Sequence, residues 1–316
     1  MFILRNIIIN IKIMGNLDNI TELTNMIGVD INKYRITKYI NSGSFGDVFE
    51  AKHKETGKLV ALKIPIKNDE RDGTKSLLEE ARVYKDIADP EHGVVDMKVV
   101  RHKDKRVIAM DLLGPSLETL LTKHKKFGIK TITLLAIKIL DVMKHIHSCG
   151  YIHRDIKPDN FTTGFDDSKK IYCIDFGLSK KYINKNGDHL PFSDKRRFCG
   201  TCRYASIASH MNWEQSRKDD LESVAYMLIY MYKGKLPWQK IKHKEKREKY
   251  RLVGERKAAT TPEELCSGMS KEFLIFLKYI RNLDFDEKPH YSALKKMFMR
   301  LYESRRYKND KLEWEI

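Results

Sequence analysis

Cysteine is scarce: the 316 residues hold five, Cys149, Cys173, Cys199, Cys202 and Cys266. An odd, sparse set argues against a disulfide-stapled scaffold and fits a reducing compartment. Cys199 and Cys202 have C-x-x-C spacing, but no second cysteine or histidine pair stands near them in sequence, so metal binding there is not expected. Long apolar runs are also missing. The stretch 1–14 is broken by Arg5, Asn6, Asn10 and Lys12 and is too short to span a bilayer. No charged leader with a small-residue cleavage site appears, which argues against a signal peptide. That stretch reads as a frayed leader, as sequence upstream of initiation at Met14, or as a weak surface anchor. Internal repeats and low-complexity tracts are absent. Acidic charge is in deficit, with 43 Asp and Glu against 60 Lys and Arg, a formal net charge of +17. Such a balance suits anionic partners: nucleotide phosphates, acidic or phosphorylated protein segments, nucleic acid or an anionic membrane surface. A solvated basic surface is the plainer alternative.

The chain is long enough for one large domain or two packed lobes, and 41% hydrophobic and 10% aromatic residues argue against disorder. One stretch organises the rest. It runs from Tyr151 through His153, Arg154, Asp155, Lys157 and Asn160 to Phe161, and is followed by Asp175-Phe176-Gly177 after a short apolar run that reads as a strand. Phosphoryl transfer needs a carboxylate to orient or deprotonate the attacking hydroxyl, oxygen ligands for Mg2+ and a cation to offset charge on the transferred group. His153-Arg154-Asp155 with Asn160 fits the protein-kinase catalytic loop, and Asp175-Phe176-Gly177 fits the metal-binding triplet. Either tripeptide alone is weak; both, in order, are not chance.

Upstream, 15–33 is a polar connector with a short helix over 19–27 stopped by Gly28. Residues 34–40 alternate and read as a strand. Asn41, Ser42, Gly43, Ser44, Phe45 and Gly46 then form a turn into a second strand over 47–51, with Val48 on it. Glycines let backbone N–H groups approach phosphates. A strand–turn–strand is a kinase nucleotide flap rather than a P-loop, with Asn41 where the pattern has glycine. Asn41 tolerates positive φ, so the turn survives. A buried strand over 59–64 carries Ala61 and one charge, Lys63, which needs an anionic partner. Nucleotide phosphates and a carboxylate on a helix over 76–88, Glu79 or Glu80, are the candidates. Strands over 94–100 and 106–110 lead to Leu112-Leu113-Gly114-Pro115, a break read as a hinge. Backbone groups at Asp111 and Leu113, next to Met110, suit a planar base. Helices over 116–122 and 131–149 lead into the catalytic loop. Residues 179–195 are polar and without period, a candidate mobile activation loop. Residues 219–230 form a strongly apolar helix at the centre of the larger lobe. A basic run covers 240–251, and amphipathic helices over 273–283 and 292–302 close the chain.

Five phrases carry a resemblance. They are Leu112-Leu-Gly-Pro-Ser-Leu-Glu118, Gly200-Thr-Cys-Arg-Tyr-Ala-Ser-Ile207, Glu214-Gln-Ser-Arg-Lys-Asp-Asp-Leu-Glu-Ser223, Leu236-Pro-Trp-Gln239 and Asp286-Glu-Lys-Pro-His-Tyr291. With the motifs above, the chain resembles protein kinases in general and the casein kinase 1 family in particular, over about 33–302. Ala205-Ser206-Ile207 stands where most kinases carry Ala-Pro-Glu, as in that family.

The resemblance implies an α+β, bilobal protein-kinase fold. Its parts would be an extension over 1–32, a β-rich N-lobe over 33–113, a helical C-lobe over 114–303 and a short tail over 304–316. It implies ATP- and Mg2+-dependent phosphorylation of Ser and Thr in protein substrates with acidic or already phosphorylated segments. Lys63 would be the ATP lysine and Glu80 its partner; Asp155, Lys157 and Asn160 the catalytic groups; Asn160 and Asp175 the metal ligands. Arg203 and Lys249 match an anion pocket for a primed residue, with Arg196 as a further contributor. Thr162 and Thr163 replace an apolar pair, which makes the adenine floor more polar. The implied protein is a monomer, intracellular in cytoplasm or nucleus, with nucleic acid disfavoured as a partner and no transmembrane segment. The short C-terminal end looks like a minimal kinase. Three other readings compete: a kinase-shaped scaffold without catalysis, a small-molecule phosphotransferase, and, on charge alone, a DNA-binding protein.

Overall fold

The computed structural model describes residues 25–43, 46–65, 73–103 and 105–315. The leader over 1–14, most of the helix expected over 19–27, and Ser44 and Phe45 of the glycine turn lie outside them. The chain divides into two compact units, one holding residues up to Arg82 together with Asp96–Leu112, the other Val83–Val95 and Leu113–Ile316.

The first unit is an antiparallel sheet. Its strands are β1 (Asp30–Ile31), β2 (Tyr34–Gly43), β3 (Gly46–His53), β4 (Leu59–Ile64), β5 (Met97–His102) and β6 (Lys105–Asp111), in the spatial order β1-β2-β3-β4-β6-β5. Alternation along the strands sorts the side chains. Ile36, Phe49, Ala51, Val60, Leu62, Ile64, Val107 and Ala109 pack into one apolar cluster on one face. The other face carries Ile108, which packs with Leu77 and Ala81 of helix α1 (Gly73–Ile87). Val94 and Val95, expected to open β5, are instead fully buried in the second unit, and the strand begins at Met97. Their apolar pair looks like a strand start but fills a core.

The second unit is helical. It holds α2 (Leu117–His124), α3 (Ile129–Ser148), α4 (Ile207–His210), α5 (Arg217–Lys233), α6 (Lys246–Ala259), α7 (Pro262–Cys266), α8 (Lys271–Asn282) and α9 (Tyr291–Ser304). α5 is buried on nearly every side, from Asp219 to Met231, so it is the unit's core helix. Two small antiparallel pairs belong to the same unit, β7 (Tyr151–Ile152) with β10 (Lys180–Lys181), and β8 (Phe161–Thr163) with β9 (Ile171–Cys173), with β7 and β9 against α3. The segment over 179–195 is therefore not without structure. It opens as a strand on β7, and an Ile183–His189 bridge closes a further turn. The basic run over 240–251 is part loop, part first turns of α6, where Arg251 pairs with Glu248 and Glu255. The tail beyond α9 docks on this unit. Leu312 is fully buried, Trp314 meets Phe127 edge-on at 5.5 Å, and Lys169 pairs with Asp310 at 2.7 Å. Among the described residues no helix is long and apolar enough to cross a membrane.

Candidate active site

In the first unit the register of the sheet gathers the expected nucleotide residues on one face. Asn41 lies opposite Val48, Val48 opposite Lys63, and Ala61 opposite Met110. Directly paired residues share a face, as do residues two apart. The same face packs against α1, and from that helix Glu80 meets Lys63. Their charged atoms are 2.7 Å apart and both side chains are almost wholly buried, at 1% and 7% exposure. Glu79, the other candidate, is exposed. A buried lysine in an apolar strand needs such a partner, because an isolated ammonium in this surrounding is costly.

Asn41 differs from the expectation. It does not take positive φ; it stays in β2 beside a register irregularity at Tyr39–Asn41, and its side-chain oxygen accepts the Ser42 N–H at 2.9 Å. The strand has no need of a left-handed residue there. Gly46 is different: a Cβ would stand 2.6 Å from the Ile64 carbonyl oxygen, so only glycine lets β3 approach β4. Asp111 turns its carboxylate to Lys58 at 2.7 Å.

In the second unit the catalytic-loop residues converge. Asp155 is 7% exposed. Its Oδ2 accepts from Lys157 Nζ at 2.7 Å, its Oδ1 accepts from the Thr201 hydroxyl at 2.7 Å, and its carbonyl accepts from Asn160 Nδ2 at 2.9 Å. Burial alone would lower the Lys157 ammonium, but the adjacent Asp155 carboxylate outweighs it and holds the group above its ordinary value. Thr201 reaches Asp155 because Gly200, at φ +107, passes so close to the catalytic loop that a Cβ would lie 2.6 Å from the Arg154 carbonyl oxygen.

Asp175 and Arg154 both sit in the left-handed region, at φ +66. Non-glycine residues persist there only when their surroundings hold them, and such strain clusters at functional sites. For Arg154 the hold is a 2.7 Å bond from Nε to the Leu178 carbonyl. For Asp175 it includes the Tyr84 hydroxyl, which accepts its N–H at 3.3 Å, and Phe176, which packs edge-on against the Tyr84 ring at 4.9 Å. The Ile174 N–H donates to the Asn160 carbonyl at 2.9 Å, which ties the two turns together. Asn160 spends its amide nitrogen on the Asp155 carbonyl, and its side-chain oxygen is a potential cation ligand. With the Asp175 carboxylate, this set of hard oxygens fits a divalent metal of the magnesium class.

Asp220 was not foreseen as a site residue. It sits on α5, nearly fully buried, and receives the His153 N–H at 2.7 Å, the Arg154 N–H at 2.8 Å and His147 Nε2 at 2.9 Å. Burial alone would raise its carboxyl, but the His147 hydrogen bond and the charges of His147 and His153 outweigh it and hold the group below its ordinary value. The available signal was an acid pair opening a helix otherwise apolar all round.

Thr162 is buried, pairs as an isolated bridge with Ser116, and its hydroxyl meets no hydrogen-bond partner. Leu113, also in this unit, is half-buried. Arg203 lies over the Tyr230 and Tyr204 rings, 5.0 and 5.7 Å from their centroids, and meets no carboxylate at ion-pairing distance among the described residues. Lys249 likewise makes no ion pair there, and its charge falls on Cys202, the neighbour of Arg203. Arg196 is engaged elsewhere: its Nε lies 2.6 Å from Glu214, which also holds Lys180 at 2.8 Å.

Residues 34–299 match the family model described as the protein kinase domain. Proteins of this family transfer phosphate from ATP to protein substrates with the help of a divalent metal. In that family a catalytic-loop carboxylate, a metal-binding Asp-Phe-Gly triplet and a strand lysine paired with a helix carboxylate are the parts that such chemistry uses. With five-sixths of its length inside that match, the chain belongs to the protein kinase domain family.

Proposed function

We propose that this kinase phosphorylates Ser and Thr hydroxyls in acidic or phosphate-primed protein segments, in the manner of casein kinase 1, with ATP and Mg2+. The observation that carries the reading is the setting of Asp155, one oxygen on Lys157 and the other on Thr201. A carboxylate so fixed is oriented to take the proton of an incoming hydroxyl. Lys157 remains beside it to offset charge developing on the transferred group.

ATP would supply the phosphoryl group, and its Mg2+ the positive charge that offsets negative charge on the phosphate oxygens. The chain's own residues do the rest. In this reading Lys63, steadied by Glu80, would bind phosphate oxygens, and Asn160 and Asp175 would hold the metal through oxygen. Backbone N–H groups of the segment 41–46 would take phosphate oxygens. Val48, Ala61, Met110 and Thr162, with backbone groups of Asp111 and Leu113, would take the base. For the substrate, Arg203 and Lys249 form the anion site. Two cations that meet no carboxylate among the described residues suit a phosphate, which carries nearly two negative charges. Arg196 has a carboxylate of its own and is assigned no part in it.

The test is a peptide-array assay with radiolabelled ATP, comparing primed, acidic and neutral peptides. Wild type labels primed and acidic peptides most; Asp155→Asn and Lys63→Met abolish labelling; Arg203→Gln removes the preference for primed peptides while neutral ones keep their rate. Equal labelling by Asp155→Asn overturns the catalytic assignment, and an unchanged preference in Arg203→Gln overturns the anion site.

A further inference from the structure

A histidine cluster lies in the second unit, apart from the groups above. Asp89 and His92 belong to the turn after α1, and His145 belongs to the last turns of α3. One ring nitrogen from each histidine and one carboxylate oxygen of Asp89 all lie within 4.8 Å of one another. The two imidazoles stack, with centroids 5.2 Å apart and planes 16° from parallel. We propose that Asp89, His92 and His145 form a binding site for a borderline divalent metal, Zn2+ by preference, separate from the nucleotide-linked cation.

The argument rests on what ordinary structural roles leave unexplained. Asp89 caps the short 3-10 turn over 90–92, but this uses only Oδ1, which accepts the Glu91 and His92 N–H groups at 3.0 and 3.2 Å. Oδ2 is turned to His92 Nδ1 at 2.8 Å. That hydrogen bond holds a proton where a metal can sit. Two donors on one tetrahedral zinc stand about 3.3 Å apart, given bonds of about 2.0–2.1 Å, so the pair is already near the required spacing. His145 is oriented as ligating histidines are: its Nε2 donates to the Ile87 carbonyl at 2.7 Å, which fixes the ring and leaves the lone pair on Nδ1.

The turn itself is held. Asp89 and Val94 bridge, and Gly93 closes the turn in the left-handed region. The ligands therefore need little ordering on binding. A cavity of about 590 Å3 bounded by His92 and His145, with Glu91 and Asp141 and the four lysines Lys138, Lys144, Lys170 and Lys295 on its wall, offers an entry path and room for a water as fourth ligand. Two imidazoles and one carboxylate select zinc, cobalt, nickel or copper over magnesium, which favours all-oxygen sites. Bound metal would pin the turn after α1 to α3.

The experiment titrates Zn2+ into the full-length, chelator-stripped protein by calorimetry, without nucleotide or Mg2+, and reads Co2+ substitution by its tetrahedral absorption bands. One Zn2+ per chain is expected. His92→Ala and His145→Ala should each weaken binding by roughly tenfold to a hundredfold and remove the cobalt bands. Asp89→Asn, which keeps the cap, should also weaken it, whereas His243→Ala, in the exposed loop before α6, should leave it unchanged. His92 is exposed, so its loss cannot be put down to misfolding. The proposal is overturned if the wild type takes up no zinc, or if His92→Ala and Asp89→Asn bind as the wild type does.

Discussion

The Thr201 hydroxyl donates to Asp155 Oδ1 at 2.7 Å, a bond between residues of two different loops. It fixes the carboxylate oxygen that Lys157 does not hold. A hydrogen bond to a charged group contributes about 1.5–3 kcal/mol. Thr201→Ala should therefore lower kcat by roughly tenfold to a hundredfold with the KM for ATP unchanged, and Thr201→Ser should restore most of it. Steady-state kinetics check this. A Thr201→Ala enzyme with wild-type kcat would show that Lys157 alone suffices to orient Asp155.

Replacing one partner of the buried Lys63–Glu80 pair removes a 2.7 Å hydrogen bond between two charged groups. Such a bond contributes about 1.5–3 kcal/mol. Glu80→Gln should lower stability by about 2 kcal/mol in urea unfolding, and kcat/KM on the order of a hundredfold. The exposed neighbour serves as the contrast, since Glu79→Gln should change neither by a measurable amount.

The parts that a sequence displays best are those whose chemistry is local. Lys63 stands out as the single charge in an apolar strand and lies in β4; Asp155, Asn160 and Asp175 stand at fixed offsets in short motifs, with Asn160 and Asp175 at short 3-10 turns. What escaped depends on distant packing. Asp220 looks like an ordinary first-turn helix acid, and only the fold brings His147, His153 and Arg154 to it. Val94 and Val95 have strand character but are claimed by a core. Asn41 stands where glycine is usual and tolerates positive φ, yet beside the register irregularity it stays in β2 without it. The tail is polar in composition and hides one buried leucine, Leu312, that no periodicity marks.

His210 gives a pH signature. It is buried, with Nδ1 2.8 Å from the Tyr250 carbonyl, and burial together with the nearby Lys257 charge lowers its imidazolium pKa to about 4. The unfolded chain, with an ordinary value near 6.5, takes up this proton first as pH falls. The contribution is thus present in full above pH 6.5 and is lost progressively down to about 4, by roughly 3 kcal/mol in all. Asp219, raised to about 6 by burial, works in the opposite sense over part of that range. The clean measure is therefore the difference between the wild type and His210→Asn in urea unfolding at pH 7 and pH 4.5. The variant should be less stable at neutral pH and lose less on acidification; parallel losses would show that His210 is protonated in the folded state.

The tail makes the last test, because it ties down the start of α3. That helix begins after Gly128, which carries no side-chain cap. Glu313 accepts the N–H of Gly128 itself at 2.7 Å, while Leu312 is buried beside it and Trp314 donates its indole N–H to the Ser168 carbonyl at 3.2 Å. Glu313→Ala should cost about 1 kcal/mol, as loss of one hydrogen bond does. Leu312→Ala should cost about 2–4 kcal/mol from lost burial and the cavity left behind. Because the same α3 runs on to the strand preceding His153, truncation after Tyr307 should lower kcat as well as stability. Urea unfolding followed by kinetics at a temperature where all variants remain folded separates the two effects. If the truncated chain is as stable as Leu312→Ala and fully active, the tail is a patch on the surface of α3 and has no hold on the catalytic loop.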